Sequence, residues 1–153
     1  MYLTKSIKMK KNLLILSLVL LSLPIFAQTN ETVFRTADVM PVYQECQLEG
    51  FENNPYGCTM NQLTAYFQNN VIVANPTGNM SKGLISFVVE SDGSISNISL
   101  DRSVYLSQEN PQLQEELDSK ILELANNLSF ISGGVTAGEN VRVKLQFSVP
   151  VNF

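Results

Sequence analysis

The sequence predicts an α+β domain in which two helices pack on one face of a three-stranded antiparallel sheet. The first observation is a strict alternation of apolar and polar residues from Val141 to Val151, which indicates a strand with one covered face. The second is Asp92-Gly93 between two β-rich runs, typical of a hairpin turn. The third is a pair of amphipathic stretches with helix-start signals, one before the hairpin and one after it. Their order is that of a split β-α-β arrangement.

The N-terminus has the pattern of a secretory signal peptide. A basic head precedes an apolar run from Leu13 to Phe26 and the small residue Ala27, the order in which such signals are built. We expect cleavage after Ala27, so that residues 1–27 are the signal peptide and residues 28–153 form one domain. The alternative is an uncleaved membrane anchor, but the run is shorter than the about 20 apolar residues that cross a bilayer.

Composition excludes several classes of function. Residues 1–27 hold four of the ten basic residues and none of the 14 acidic ones, so the remainder carries a net charge of −8. An acidic domain is repelled by nucleic acid and by anionic lipid headgroups, and we expect neither as a partner. The chain has no histidine, the most common general base. We therefore predict that the protein is not an enzyme, and we expect no small-molecule substrate, cofactor or metal ion.

Two cysteines, Cys46 and Cys58, belong to the predicted mature part. Export brings them into an oxidising compartment, where two thiols this close in sequence are usually joined. A redox pair or a metal site is the less favoured alternative, because there is no Cys-x-x-Cys spacing and no histidine. We expect a disulfide that closes the turn-rich segment between them and stabilises the fold by about 3 kcal/mol.

Each of the two helices has its own start signal and apolar stripe. We place the N-cap of the first helix at Thr59, with apolar residues recurring at helical spacing as far as Asn70. The second helix begins at Asn110-Pro111, where asparagine caps the helix and proline occupies its first position. Its apolar stripe consists of Leu113, Leu117, Ile121, Leu124 and Leu128.

The strands are predicted to leave the C-terminal one at an edge of the sheet. The hairpin joins Leu84–Glu90 to Ile95–Leu100, and a short strand is also expected between Val33 and Tyr43. Since a helical crossover usually returns the chain parallel to the strand it left, the last strand fits beside Leu84–Glu90. Such an edge is either protected or a docking site for another strand. Lys144, near its centre, is typical of protection, so both interpretations stay open.

Three segments resemble the C-terminal domain of TonB-type energy transducers. Gly83 to Ile98 is similar to that family's glycine, apolar strand, Asp-Gly turn and second strand, and Asn140 to Phe153 to its final strand with a Val-Pro-Val-x-Phe close. Pro41 to Cys46, followed by Cys58 and a helix, resembles a branch with two cysteines. The likeness covers about Phe34 to Phe153. Two departures are Ala74-Asn75-Pro76 in place of a Tyr-Pro before the hairpin, and Phe130-Ile131-Ser132-Gly133 in place of Trp-x-Pro-Gly.

The resemblance implies a periplasmic module that adds the N-terminal peptide of an outer-membrane TonB-dependent transporter as a strand to its own last strand. Full transducers also have a membrane anchor and a long proline-rich spacer. We expect neither here, so binding is expected and energy transduction for transmembrane transport stays open. The alternative is a free-standing periplasmic structural module that forms a homodimer through the same edge. The residues implied to bind the peptide are Val141, Arg142, Val143, Lys144, Leu145, Gln146, Phe147, Ser148 and Val149.

Overall fold

A computed structural model describes residues 32–47, 54–73, 80–105 and 110–151. Within these ranges the chain is α+β, with two α-helices and a mixed sheet of five strands, which confirms the predicted fold class. A short 3₁₀ helix, Gln44–Gln47, precedes the first α-helix. In chain order the other elements are β1 (Val33–Phe34), α1 (Pro55–Asn70), β2 (Gly83–Val89), β3 (Ile95–Arg102), α2 (Pro111–Asn126), β4 (Gly134–Thr136) and β5 (Glu139–Val149).

The sheet has the strand order β1-β5-β2-β3, and β4 pairs separately with β5. The pairings β5 with β2 and β2 with β3 are antiparallel, whereas β1 runs parallel to β5. The predicted three-stranded antiparallel sheet is therefore wrong in the number of strands and in its direction at one edge. The short strand expected between Val33 and Tyr43 is β1, but two residues have no periodicity that indicates their partner strand, because the pairing depends on tertiary context.

The centre of the core lies between β2 and β5. Ile85 is opposite Phe147 and Phe87 is opposite Leu145, and all four side chains are buried. Since residues directly opposite each other share a face of the sheet, this face is apolar throughout. Both helices contribute buried side chains to the same cluster, among them Phe67 of α1. The two helices are also joined by the Tyr66 hydroxyl, which donates to the carbonyl of residue 124 at 3.2 Å.

Both helices begin with the same Asn-Pro signal. Asn110 caps α2 by accepting a hydrogen bond from the backbone N–H of residue 113 at 3.1 Å, as predicted. Asn54 caps α1 by accepting from the N–H of Gly57 at 2.8 Å, so the predicted cap at Thr59 is wrong by more than one turn. Thr59 is instead buried inside the helix, where its hydroxyl accepts from the N–H of Tyr43 at 2.9 Å. This bond ties the preceding segment to α1.

The hairpin turn forms at Asp92-Gly93, as predicted. The N–H of Glu90 donates to the Ser94 carbonyl at 2.8 Å, and the N–H of Gly93 donates to the Glu90 carbonyl at 3.0 Å. Gly93 has a φ of +88°, a conformation that glycine adopts without steric cost. Its carbonyl accepts a 3.2 Å hydrogen bond from the N–H of Phe130, so this turn also anchors the chain that leaves α2.

The segment before β5 contains β4. Gly134 pairs with Val141 and Thr136 pairs with Glu139, which makes β4 and the start of β5 a tight hairpin. Its two turn residues, Ala137 and Gly138, have φ angles of +52° and +83°. Alanine rarely occupies this conformation. Of the two turn residues, only Gly138 is therefore typical of a hairpin turn.

The predicted signal peptide, residues 1–27, lies outside the described residues. Across the ranges that are described, neither α-helix has the length and apolar character needed to span a bilayer.

Candidate peptide-binding edge

The nine residues predicted to bind a peptide all belong to β5, but three of them already have strand partners besides β2. Val141 pairs with Gly134 of β4, and Arg142 and Val143 pair with β1. From Lys144 to Val149 the only strand paired with β5 in the described part of the chain is β2. We call this six-residue stretch the open edge. The prediction of an unpaired edge beginning at Val141 is therefore wrong at its start.

The strand β1 shows how this edge accepts a neighbour. Val33 is opposite Arg142 and Phe34 is opposite Val143, in parallel orientation. Phe34 is half-buried and packs against the apolar core, whereas Val33 is exposed. The side chains of β1 thus alternate as those of β5 do: Phe34 is turned toward the core and Val33 toward solvent.

Along the open edge the side chains alternate in burial. Leu145, Phe147 and Val149 are buried, and Lys144, Gln146 and Ser148 are exposed. The buried side chains fix the register of β5 against β2, because a slip by one residue would turn them all to solvent. The backbone N–H and C=O groups of the open edge therefore have fixed positions, because β5 is paired with β2 along its opposite edge.

The solvent-facing side of the sheet has a hydrogen-bonded network centred on Asp101 of β3. Its carboxylate accepts from the Ser86 hydroxyl at 3.2 Å, from the Ser99 hydroxyl at 3.1 Å and from the Gln146 amide at 3.1 Å. The bond from Gln146, followed by those from the two serines and the nearby charge of Lys144, lowers the pKa of Asp101. The network connects β3, β2 and β5 across the sheet, so it orients Gln146 on the open edge.

An ion pair between Arg142 and Glu90 lies beside the position where β1 pairs with β5. The Arg142 guanidinium donates to both carboxylate oxygens of Glu90, at 2.5 and 2.9 Å, and the Ser96 hydroxyl donates to the same carboxylate. The hydrogen bonds from Arg142, the largest cause, and from Ser96 lower the pKa of Glu90 below its ordinary value. Both side chains are about one-fifth exposed, so solvent screens the pair only in part.

We expect replacement of Glu90 by glutamine to lower stability near neutral pH by about 1 kcal/mol, an effect that disappears in acid. Because the pKa of Glu90 is lower in the folded than in the unfolded state, its contribution is present above the unfolded pKa and is lost as the pH falls through the folded one. Urea unfolding of both proteins from pH 3 to pH 7 measures the difference. A constant difference over this range would contradict the assignment.

The disulfide fixes the position of α1 relative to the segment before it. Cys46 and Cys58 are bonded, with Cα atoms 5.9 Å apart, which confirms the predicted link. The bond joins the short 3₁₀ helix to the first turn of α1, and Thr59 adds its hydrogen bond to Tyr43 beside it. Together they hold the N-terminal half of α1 in a fixed place.

Two cavities border the open edge of β5. The first, of about 320 Å³, is lined by Arg35, Met40 and Tyr56 together with Lys144, Leu145 and Gln146. The second, of about 640 Å³, lies where the end of β5 and the two residues after it, Pro150 and Val151, meet α1 and the residues that lead into β2. Sequence reasoning missed both cavities, since it did not place α1 beside this edge.

Comparison with known proteins identifies no relative. No protein-family model, no curated protein and no solved structure matches this chain. Among the described residues no cluster of carboxylate and cysteine side chains is suited to a metal ion. The candidate site therefore rests on the geometry of β5 and its surroundings.

Proposed function

We propose that this protein is an exported, periplasmic binding module similar to the TonB C-terminal domain, which recognises the N-terminal peptide of an outer-membrane transporter by β-strand addition. The observation that carries the proposal is the open edge, Lys144 to Val149, which has a strand on one side and none among the described residues on the other. Main-chain hydrogen bonds supply the affinity in this mode of recognition, and alternate side chains supply the selectivity. In the resembling family such binding serves energy transduction for transmembrane transport.

The surroundings of the edge support a guest strand. The chain's own β1 already pairs with β5 immediately before Lys144, so the backbone of β5 accommodates a partner on this side. The apolar side chains behind the edge are buried, so the row of N–H and C=O groups is held in place before a guest arrives. Preorganisation of this kind reduces the entropic cost of binding.

The second candidate is a homodimer formed through the same edge. In an antiparallel pair centred on Gln146, Lys144 of one copy would be opposite Ser148 of the other, so no like charges would be directly opposed. Like charges in that position destabilise strand pairs, and their absence favours self-pairing. This alternative makes the protein a structural module and leaves no edge for a peptide.

Two proline variants test strand addition. Successive residues of a strand direct their N–H groups to opposite edges, and proline removes one such donor. We expect Gln146→Pro, which removes a donor of the open edge beyond the end of β1, to remain folded and to lose capture of synthetic peptides that correspond to the N-terminal segments of outer-membrane transporters. Leu145→Pro is the matched control, expected to break the ladder with β2 and to lower the melting temperature.

Fluorescence anisotropy with labelled peptides measures capture, and sedimentation equilibrium measures the oligomeric state. A folded Gln146→Pro protein that captures peptides as the wild type does would rule out strand addition at this edge. A stable dimer that ignores the peptides, and that Gln146→Pro converts to a monomer, would support the second candidate.

A further inference from the structure

The sheet ends on two strands that each have a neighbour on one side only. One is β5 along the open edge, and the other is β3, which pairs with β2 and with no other strand in the described part of the chain. A strand at such an end offers its unpaired backbone groups to other chains. If the open edge of one copy added to β3 of the next, the contact would join two different surfaces and would repeat without closing, as in a filament.

The pairing of β3 with β2 contains two β-bulges. The consecutive positions 84 and 85 of β2 are opposite positions 102 and 100 of β3, so Asp101 is an extra residue. Ser86 and Val88, two positions apart, are opposite positions 99 and 96, which are three apart, so a second extra residue lies at position 97 or 98. Asn97 has a φ of +49°, a conformation that occurs in one class of bulge and that asparagine tolerates better than most residues.

The sequence of β3 requires the bulge near Asn97. Ile95 and Leu100 of β3 are opposite two fully buried residues of β2, Val89 and Ile85. Ile95 and Leu100 are five positions apart, and in a regular strand an odd spacing directs two side chains to opposite faces. The extra residue corrects this difference, so both side chains pack against the apolar core. The core therefore keeps the bulge in place.

The two bulges interrupt the outer row of backbone groups on β3. A bulge bends its strand and increases the local twist, so the N–H and C=O groups on either side of it no longer follow one line. Both bulges fall between positions 97 and 101, which leaves at most three regular residues between them. The pairing of β5 with β2 differs, because it continues without a shift through seven consecutive pairs, from Gly83–Val149 to Val89–Val143.

Length and charge do not keep the two edges apart. β3 has eight residues and the open edge six, so the edges are similar in length. The two charged residues of β3, Asp101 and Arg102, have opposite signs, and the open edge has one cation, Lys144. A carboxylate on one strand attracts a cation on its neighbour. The irregular backbone of β3 is therefore the feature that opposes their pairing.

We infer that the two bulges of β3 prevent this protein from polymerising edge to edge, because they keep the open edge of one copy from adding to β3 of a second copy. The inference goes beyond the proposed function, since it needs the open edge but no peptide. It makes strand addition a property of one end of the sheet only, so assembly ends after one strand has been added.

Deletion of Asn97 tests the inference. It removes one extra residue and leaves the sequence Ile-Ser-Ile-Ser-Leu at the start of β3, a strict alternation in which all three apolar side chains share the core face. We expect this variant to fold with a straighter β3 and to associate into species larger than a dimer, whereas the wild type does not exceed a dimer. Sedimentation velocity over a series of protein concentrations measures the shift.

Three further variants show which backbone feature is responsible. Asn97→Gly is the matched control, because it keeps the extra residue and glycine adopts a positive φ without steric cost; we expect it to sediment as the wild type does. Adding Gln146→Pro to the deletion removes a donor of the open edge, and we expect it to abolish the larger species. If the deletion variant does not unfold cooperatively in urea, Asn97→Val takes its place, since a β-branched residue opposes a positive φ at unchanged chain length.

Three results would overturn the inference. A folded variant without the bulge that sediments as the wild type does would show that the bulge does not protect β3. Larger species that persist with Gln146→Pro would show that β3 pairs with itself and not with the open edge. Assembly of Asn97→Gly would assign the protection to the asparagine side chain instead of the bulge.

Peptide capture by the wild type tests the proposed function separately. If the wild type captures no peptide but the deletion variant assembles through the open edge, the proposed function is wrong and this inference holds. If the wild type captures peptides and the deletion variant does not assemble, the proposed function holds and this inference is wrong.

Discussion

Replacing Phe67 with alanine is expected to lower the free energy of unfolding by about 3–5 kcal/mol, the range for large-to-small changes at buried aromatic residues. Phe67 is fully buried in α1. Its ring is stacked on that of Phe147, with centroids 5.5 Å apart, and contacts the ring of Tyr66 edge-on. The substitution removes the contact that joins α1 to the open edge and leaves a cavity between them.

Urea unfolding monitored by circular dichroism measures this loss. Ile72→Ala is the matched control, because Ile72 is also apolar and close to α1 but is 64% exposed. We expect its free energy of unfolding to change by less than about 0.5 kcal/mol. The Phe67 variant should also capture transporter-derived peptides more weakly, since the open edge loses the support of α1 behind Phe147. Equal stability of the two variants would show that α1 does not pack on β5 as described.

Removal of the disulfide is expected to have the second largest effect, a loss of about 3 kcal/mol in the free energy of unfolding. The link between Cys46 and Cys58 closes a loop with a sequence separation of 12, and a loop of that order restricts the unfolded chain by about this amount. Both cysteines are buried, so the double variant Cys46→Ala/Cys58→Ala avoids placing a hydroxyl in the core.

The comparison needs both proteins with and without a reducing agent. We expect reduction to destabilise the wild type to about the level of the double variant and to leave the variant unchanged. If reduction lowers the stability of the variant as well, the reducing agent acts elsewhere and the effect does not belong to this bond. If the double variant is as stable as the oxidised wild type, the disulfide does not stabilise the fold, and hydrogen bonds such as that from Tyr43 to Thr59 are enough to hold the start of α1.

Local signals were sufficient for most of the fold. Asn110-Pro111 predicted the start of α2, and Asp92-Gly93 predicted the hairpin turn, because each signal depends on the conformation of only a few neighbouring residues. The alternation near the C-terminus predicted β5, which the structure places at Glu139–Val149, two residues earlier than expected. Asn54-Pro55 carries the same signal as Asn110-Pro111, so the true start of α1 was readable from the sequence.

Other features depend on contacts between distant residues and left little trace in the sequence. Pairing of Val33 and Phe34 with β5 involves residues more than a hundred positions apart. The turn before β5 places Ala137 at positive φ, against the usual preference. The crossover rule indicated which strand lies beside β2, and so located the edge. It gave no information about the position of α1 beside that edge, because nothing in the spacing of Tyr56 and Met60 tells which strand these residues face.

The position of β1 has a consequence for any guest. Because β1 ends at Phe34, directly before the open edge, a strand added to that edge cannot shift toward Arg142 without displacing β1. The chain's own segment therefore limits the register of an added strand. A shift by one residue would exchange the side chains turned toward the core for those turned toward solvent, so β1 would make recognition depend on where in a peptide the apolar residues begin.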